Sequence, residues 1–143
     1  MTDTTDLHRR IATSFAAQGL MHTLGATLAR VDDGEVHIAL PFSTALSQQH
    51  GYLHAGAVTS IVDSACGYAA LTRAPAGAEV VTAEFKINLL RPALGERFLA
   101  VGRVVNAGRT LTVCTGEVLA FPAGGAAPKT VALMQATIVT VTK

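Results

Sequence analysis

The sequence predicts an α+β fold: an antiparallel sheet curled around a long central helix, with a second helix at the N-terminus. Three observations carry this. Residues 54–72, HAGAVTSIVDSACGYAALT, suit a helix and hold a single charged side chain, Asp63. Four long apolar strand candidates follow, joined by connections too short for crossover helices. A sheet of that kind needs a cover for its apolar face, and the uncharged helix is the one available.

Taken in order, residues 5–18 (TDLHRRIATSFAAQ) form an amphipathic helix. Leu7, Ile11, Phe15 and Gln18 keep the three-to-four spacing, and Gly19 suits the stop. Residues 21–42 (MHTLGATLARVDDGEVHIALPF) alternate apolar and polar on either side of Asp32-Asp33-Gly34, which predicts a β-hairpin. A loop over 43–53 leads into the central helix, which Pro75 and Gly77 end. The strands are EVVTAEFKINLLRP, RFLAVGRVVNAG, RTLTVCTGEVLAF and KTVALMQATIVTVTK. With short connections, each is expected to pair antiparallel with the one before.

A chain of 143 residues is most simply one domain, 1–143, long enough to bury a core without a metal or disulfide staple. Net charge is +1 with no basic block, which gives no electrostatic footprint for nucleic acid. Cys66 and Cys114 lie in separate apolar segments without a CxxC pair. The N-terminus lacks the apolar run of a signal peptide. Together these features predict reduced cysteines and a cytoplasmic protein. No stretch reaches the roughly 18 apolar residues of a membrane span. A mean hydropathy of +0.40 is high for a small soluble monomer, and oligomerisation is the predicted outlet.

Between Val36 and Thr72, Asp63 is the one Asp, Glu, Lys or Arg. At 3.6 residues per turn it shares a face with Gly56, Thr59, Ser60, Cys66, Gly67 and Ala70, while Val58, Ile61, Ala65 and Tyr68 turn to the sheet. A surface acid, or one paired with a distant cation, is the ordinary explanation. Against it, an outward face normally carries more than one charge, and a buried unpaired carboxylate is costly. The residues leave Asp63 open between these readings and a functional one.

The helix start adds a second element. The N–H groups of Ala55 and Gly56 lack intrahelical partners and, with the helix dipole, suit a developing oxyanion. His54, His50, Gln48 and Gln49 supply neutral hydrogen-bonding groups just upstream. Asp63 lies roughly 10–13 Å from that start at 1.5 Å per residue, too far for both to act on one carbonyl. A second copy of the chain could bring one Asp63 beside another helix start.

HAGAVTSIVD, with INLLRPA and AGRTLTV in order behind it, resembles the His-Gly-Gly…Asp signature of the hotdog-fold acyl-CoA thioesterases, nearest the phenylacetyl-CoA and 4-hydroxybenzoyl-CoA branch. The resemblance covers roughly residues 20–141. It implies a homodimer paired edge to edge, often a dimer of dimers, with active sites between subunits and an acyl-CoA substrate. It implies Asp63 as general base or nucleophile, the Ala55 N–H as holder of the thioester oxygen, and His54 as the residue shaping the loop. Gln48 falls where a side-chain amide assists the carbonyl, and Thr82 where a hydroxyl positions water. Gly56, Arg91, Arg109 and Thr110 fall in substrate-contacting segments. Ala55 stands where the family often has Gly, which narrows the approach to the backbone donor. No metal or redox cofactor is implied.

Other readings compete. A hotdog hydratase or dehydratase would pair a histidine and an acid across subunits, but this chain lacks the His-Phe-Pro-Gly type motif. A non-catalytic acyl-CoA binding protein is compatible with the neutral helix face. His50 and His54 have the spacing of two helical metal ligands, yet Gly51 argues against a helix there and no third ligand is evident. Cys66 lacks a basic partner and reads as an inert core thiol. Arg109 also fits a simple turn charge.

Overall fold

The computed structural model describes residues 3–142. Helix α1 spans Thr4–Ala17, with the Asp3 carboxylate accepting from the Thr5 N–H at 3.1 Å, and it buries Leu7 and Ile11. The first helix ends within two residues of the expected stop, but Gly19 does not lead into a strand. Gln18 is extended, and Gly19 opens a second helix, α2, Gly19–Leu24. Residues 21–24 are therefore helical, where alternation predicted strand. Met21 and Leu24 are three apart, a spacing that fits one helical turn as well as a short alternation, and Met21 is fully buried.

Strands β1 (Thr27–Asp32) and β2 (Glu35–Pro41) form the predicted hairpin, turning at Asp33-Gly34 with Gly34 at φ 81°. The central helix α3 spans Ala55–Leu71, capped by His54 and Thr72. Strands β3 (Glu79–Leu89), β4 (Arg97–Ala107), β5 (Leu111–Phe121) and β6 (Lys129–Val141) complete one antiparallel sheet in the order β1-β2-β4-β5-β6-β3.

That order corrects one expectation. β3 pairs with β6 and not with β4, which joins β2 instead. Residues 90–96 cross the end of the sheet, fixed by Leu90 N–H to Val131 O (2.8 Å), Leu53 N–H to Ala93 O (3.0 Å) and Phe42 N–H to Glu96 O (2.8 Å). Seven extended residues reach about 23 Å, enough to pass three strand spacings of about 4.8 Å.

α3 lies in the concave face with Val58, Ile61, Val62 and Ala65 at or below 1% exposure. The contact is backbone-close: a Cβ on Gly102 of β4 would meet the Ala65 carbonyl at 2.4 Å. The curl also covers Cys66 and Ala70, expected on the open face; they are 0% and 2% exposed. Cys114 Sγ donates to the Cys66 carbonyl at 3.4 Å, and the absent side chain of Gly116 makes room for Cys66 Sγ. A narrower stripe remains open: Gly56, Thr59, Ser60, Asp63, Ser64 and Gly67. β3 borders it, an eleven-residue edge strand paired on one side, with Val81, Phe85 and Leu89 44–56% exposed.

Candidate active site

The residues singled out in the sequence fall into two clusters along α3. The first surrounds the helix start. His54 is extended at φ −62° and ψ 139°, and its Nδ1 accepts from the Gly56 N–H at 2.7 Å. That bond corrects the expectation of two free donors. Gly56 is occupied, and the Ala55 N–H alone has no acceptor among the described residues. A Cβ on Gly56 would lie 3.0 Å from His54 Nδ1, so glycine lets the imidazole fold over the turn.

Gln48 is fixed from the loop side. Its Oε1 accepts from the His50 N–H (2.6 Å) and the Tyr52 N–H (3.2 Å), leaving the Nε2 amide hydrogens free to donate. Gln48, Ala55 and Arg91 line one cavity with Tyr52, Val58 and Leu89. The turn closed by the Gly51 N–H on the Gln48 carbonyl (3.0 Å) keeps residues 48–51 out of helix, and His54 Nδ1 is spent on its cap. His50 and His54 are thus not a helical ligand pair.

The second cluster holds the acid. Asp63 is partly buried, and Thr82 of β3 donates its hydroxyl to Asp63 Oδ1 at 2.8 Å. Both line an open cavity with Gly67, Tyr68, Gln18 and Glu79. Gln18, Tyr68 and Glu79 of this cavity were not among the expected site residues. Tyr68, expected to face the sheet, points its hydroxyl to α1, accepting from Gln18 Nε2 at 2.9 Å and bonding Ser14 Oγ at 3.2 Å. Ser64 Oγ donates to Gln18 Oε1 at 3.0 Å. These bonds span 46–54 residues, and no local spacing announces them.

Arg109 and Thr110 occupy the β4–β5 turn, exposed, with the Thr110 carbonyl accepting from the Thr140 N–H at 2.8 Å. Since Thr112 and Thr82 both pair with Ile138, this turn lies at the Thr82 end of the sheet, away from Arg91. The structure therefore groups Arg91 with Ala55 and Gln48, and Arg109 and Thr110 with the acid's end.

Cys66 and Cys114 are free and fully buried. Burial, with smaller contributions from Cys114 and Asp63, pushes the Cys66 thiol far up, and burial raises Cys114 to about 11. Neither is a thiolate nucleophile near neutral pH.

A model of the thioesterase superfamily matches residues 50–124, which include the start of α3, Asp63 and Thr82. The crystal structure of a thioesterase family protein from Silicibacter pomeroyi superposes with a TM-score of 0.92 at 44% identity, covering 96% of this chain and 99% of that one. The PaaI protein of the phenylacetic acid degradation operon of E. coli shares the fold, with a TM-score of 0.85 at 20% identity over 98% of this chain and 96% of its own. A Halobacterium salinarum protein provisionally named an esterase is 31% identical over 66% of this chain and 66% of its own length.

Proposed function

The chain belongs to the thioesterase superfamily, and we propose that it hydrolyses an acyl-CoA thioester to a carboxylic acid and free CoA at a site shared by two subunits. The observation that carries this is the separation of the two clusters. A free oxyanion donor and a hydroxyl-bonded carboxylate share one helix eight residues apart, roughly 12 Å. Each borders the exposed edge strand β3.

A two-fold pairing of β3 with its copy runs the strands in opposite directions. The Thr82 end of one chain then lies towards the Leu89–Arg91 end of the other. Such pairing covers an edge strand otherwise open to aggregation, together with exposed Val81, Phe85 and Leu89. Dimers would associate further through other faces.

In the assembled site Asp63 acts on the carbonyl carbon. As general base it takes a proton from water whose oxygen forms the new C–O bond. As nucleophile it forms an anhydride that water then opens. Thr82 holds one carboxylate oxygen and orients the other. The partner subunit's Ala55 N–H and Gln48 amide receive the negative charge on the carbonyl oxygen. The C–S bond breaks as the carbonyl reforms, and the thiolate of CoA takes a proton. His54 presents the donor by holding the neighbouring N–H. Gly56 keeps the approach open. Arg91, Arg109 and Thr110 meet the phosphorylated part of CoA, whose negative charge suits them.

Thiol release from aryl- and alkyl-CoA esters, native against Asp63→Asn, tests this reading. Hydrolysis that falls by about 10²-fold or more in a folded, still oligomeric variant is expected. Turnover that survives the substitution removes Asp63 from the chemistry.

A further inference from the structure

We propose that Arg10 of the N-terminal helix is a positioning residue for the acid: by clamping the loop that leads into β3, it sets Thr82 against Asp63. This rests on the site proposed above and adds to it a residue outside both clusters.

Arg10 is half-buried, and its guanidinium donates to three backbone carbonyls of one loop. Nη1 reaches Ala74 O at 3.0 Å, and Nη2 reaches Pro75 O at 2.9 Å and Ala78 O at 2.8 Å. No carboxylate pairs with it among the described residues, whereas its neighbour Arg9 faces solvent beside Asp6. The carbonyls follow the C-terminal end of α3, where the helix dipole favours a cation. A planar guanidinium presents its donors in a rigid fork, so three bonds fix the loop in orientation as well as in place.

The strand beyond that loop has little else to hold it. β3 is an edge strand, paired only with β6. A bulge interrupts its ladder between Thr82 and Glu84, which sets Glu79–Thr82 apart from the rest of the strand. That segment starts from Ala78, 4% exposed, whose carbonyl Arg10 holds. The turn before it contains Pro75 and Gly77 (φ 82°) and is closed by the Ala78 N–H on Pro75 O at 3.1 Å. Pro75 O thus accepts from both Ala78 and Arg10. Thr82 lies four residues further on, about 13 Å of extended strand.

The same N-terminal segment holds the other partner of the pair. Gln18, which follows α1, accepts from Ser64 Oγ at 3.0 Å, and Ser64 adjoins Asp63 on α3. Arg10 and Gln18 stand eight residues apart, about 12 Å along the helix. One helix therefore ties down both the strand that carries Thr82 and the helical turn that carries Asp63, and the 2.8 Å bond joins the two.

The test is a double-mutant cycle on kcat and KM for one hydrolysed CoA ester, with Arg10→Met, Thr82→Val and the two combined. Arg10→Met keeps an unbranched apolar stem and removes the donors. In the folded, still oligomeric variant kcat should fall about tenfold with KM little changed, the low end of what a hydrogen bond to a charged group supplies. Added to Thr82→Val, it should lower kcat by less than about twofold more, because the bond it sets is already gone. Arg10→Lys keeps the charge without the fork and should fall between native and Arg10→Met. It takes the place of Arg10→Met in the cycle if that variant does not fold. Native kcat in the folded variant, a loss carried by KM, or losses that multiply in the double variant would overturn the role and leave Arg10 a tie of the fold alone. Native kcat in Thr82→Val, or native turnover in Asp63→Asn, would instead defeat the reading of the site on which the role depends.

Discussion

Thr82 donates its hydroxyl to Asp63 Oδ1 at 2.8 Å, joining the exposed edge strand β3 to the central helix across nineteen residues of chain. The bond fixes the carboxylate rotamer without neutralising it. It also makes the acid's geometry depend on β3, the strand through which a second subunit would dock.

Replacing Thr82 with Val keeps the β-branched shape and removes the donor. A hydrogen bond to a charged group is worth about 1.5–3 kcal/mol. We expect kcat to fall roughly tenfold to a hundredfold with KM little changed. Thr82→Ser should restore most of the loss. Steady-state kinetics on one ester checks both variants, and equal losses in Ser and Val would show that shape, and not the hydroxyl, matters.

The cap at the start of α3 yields a paired prediction. His54→Ala removes the acceptor of the Gly56 N–H and should cost about 0.5–2 kcal/mol of stability. Gly56→Ala brings a methyl to 3.0 Å from His54 Nδ1 and should swing the exposed imidazole off the cap. Both should lower kcat as well as the melting temperature, because the Ala55 donor is held by the same turn. Calorimetry beside thiol release measures the two effects.

Acid stability should depend on the outer face of the sheet. Burial alone would raise the Glu35 carboxyl, but hydrogen bonds from His37 (2.7 Å) and Arg103 (2.8 Å), with their charges, hold it below its ordinary value of 4.5. A depressed folded value means the unfolded chain takes up the proton first. The stabilisation is therefore full above pH 4.5 and is lost as pH falls through the lower folded value. Glu35→Gln should flatten this part of the stability profile, read by urea unfolding between pH 6 and pH 3.

Much of this architecture is visible in local sequence, and the exceptions have physical causes. Asp32-Asp33-Gly34 and the punctuation around 92–95 and 107–108 mark strand ends because turn chemistry is local. The pairing of β3 with β6 was not legible, since a connection of seven residues serves a hairpin or a crossing equally well. The curl of the sheet decides it. The same curl buries Cys66 and Ala70, which helical periodicity alone placed beside Asp63.

Within the site, the isolation of Asp63 and the donors at the helix start could be read directly from the chain. Their spacing along the helix, roughly 12 Å, is also readable there, and it is the ground for proposing a site shared between two copies. Thr82 became a candidate through family resemblance alone, because a contact between strand and helix leaves no mark in either segment. Gln18 and Tyr68 escaped for that reason too. The capture of the Gly56 N–H by His54 could have been anticipated, since the residue before a helix commonly caps it, although histidine is an unusual choice.

The most direct test of the shared site mixes two inactive variants. Ala55→Pro removes the backbone donor at the first helical position, where proline is tolerated, and the extended His54 before it suits a following proline. Asp63→Asn removes the acid. If each site takes its acid from one chain and its donor from the other, a mixed dimer keeps one intact site. Unfolding and refolding the variants together at equal amounts should then recover about a quarter of native thiol release, from half the dimers with half their sites. No recovery, with mixed dimers demonstrated by mass spectrometry, would place the acid and its oxyanion donor within one chain and contradict the account.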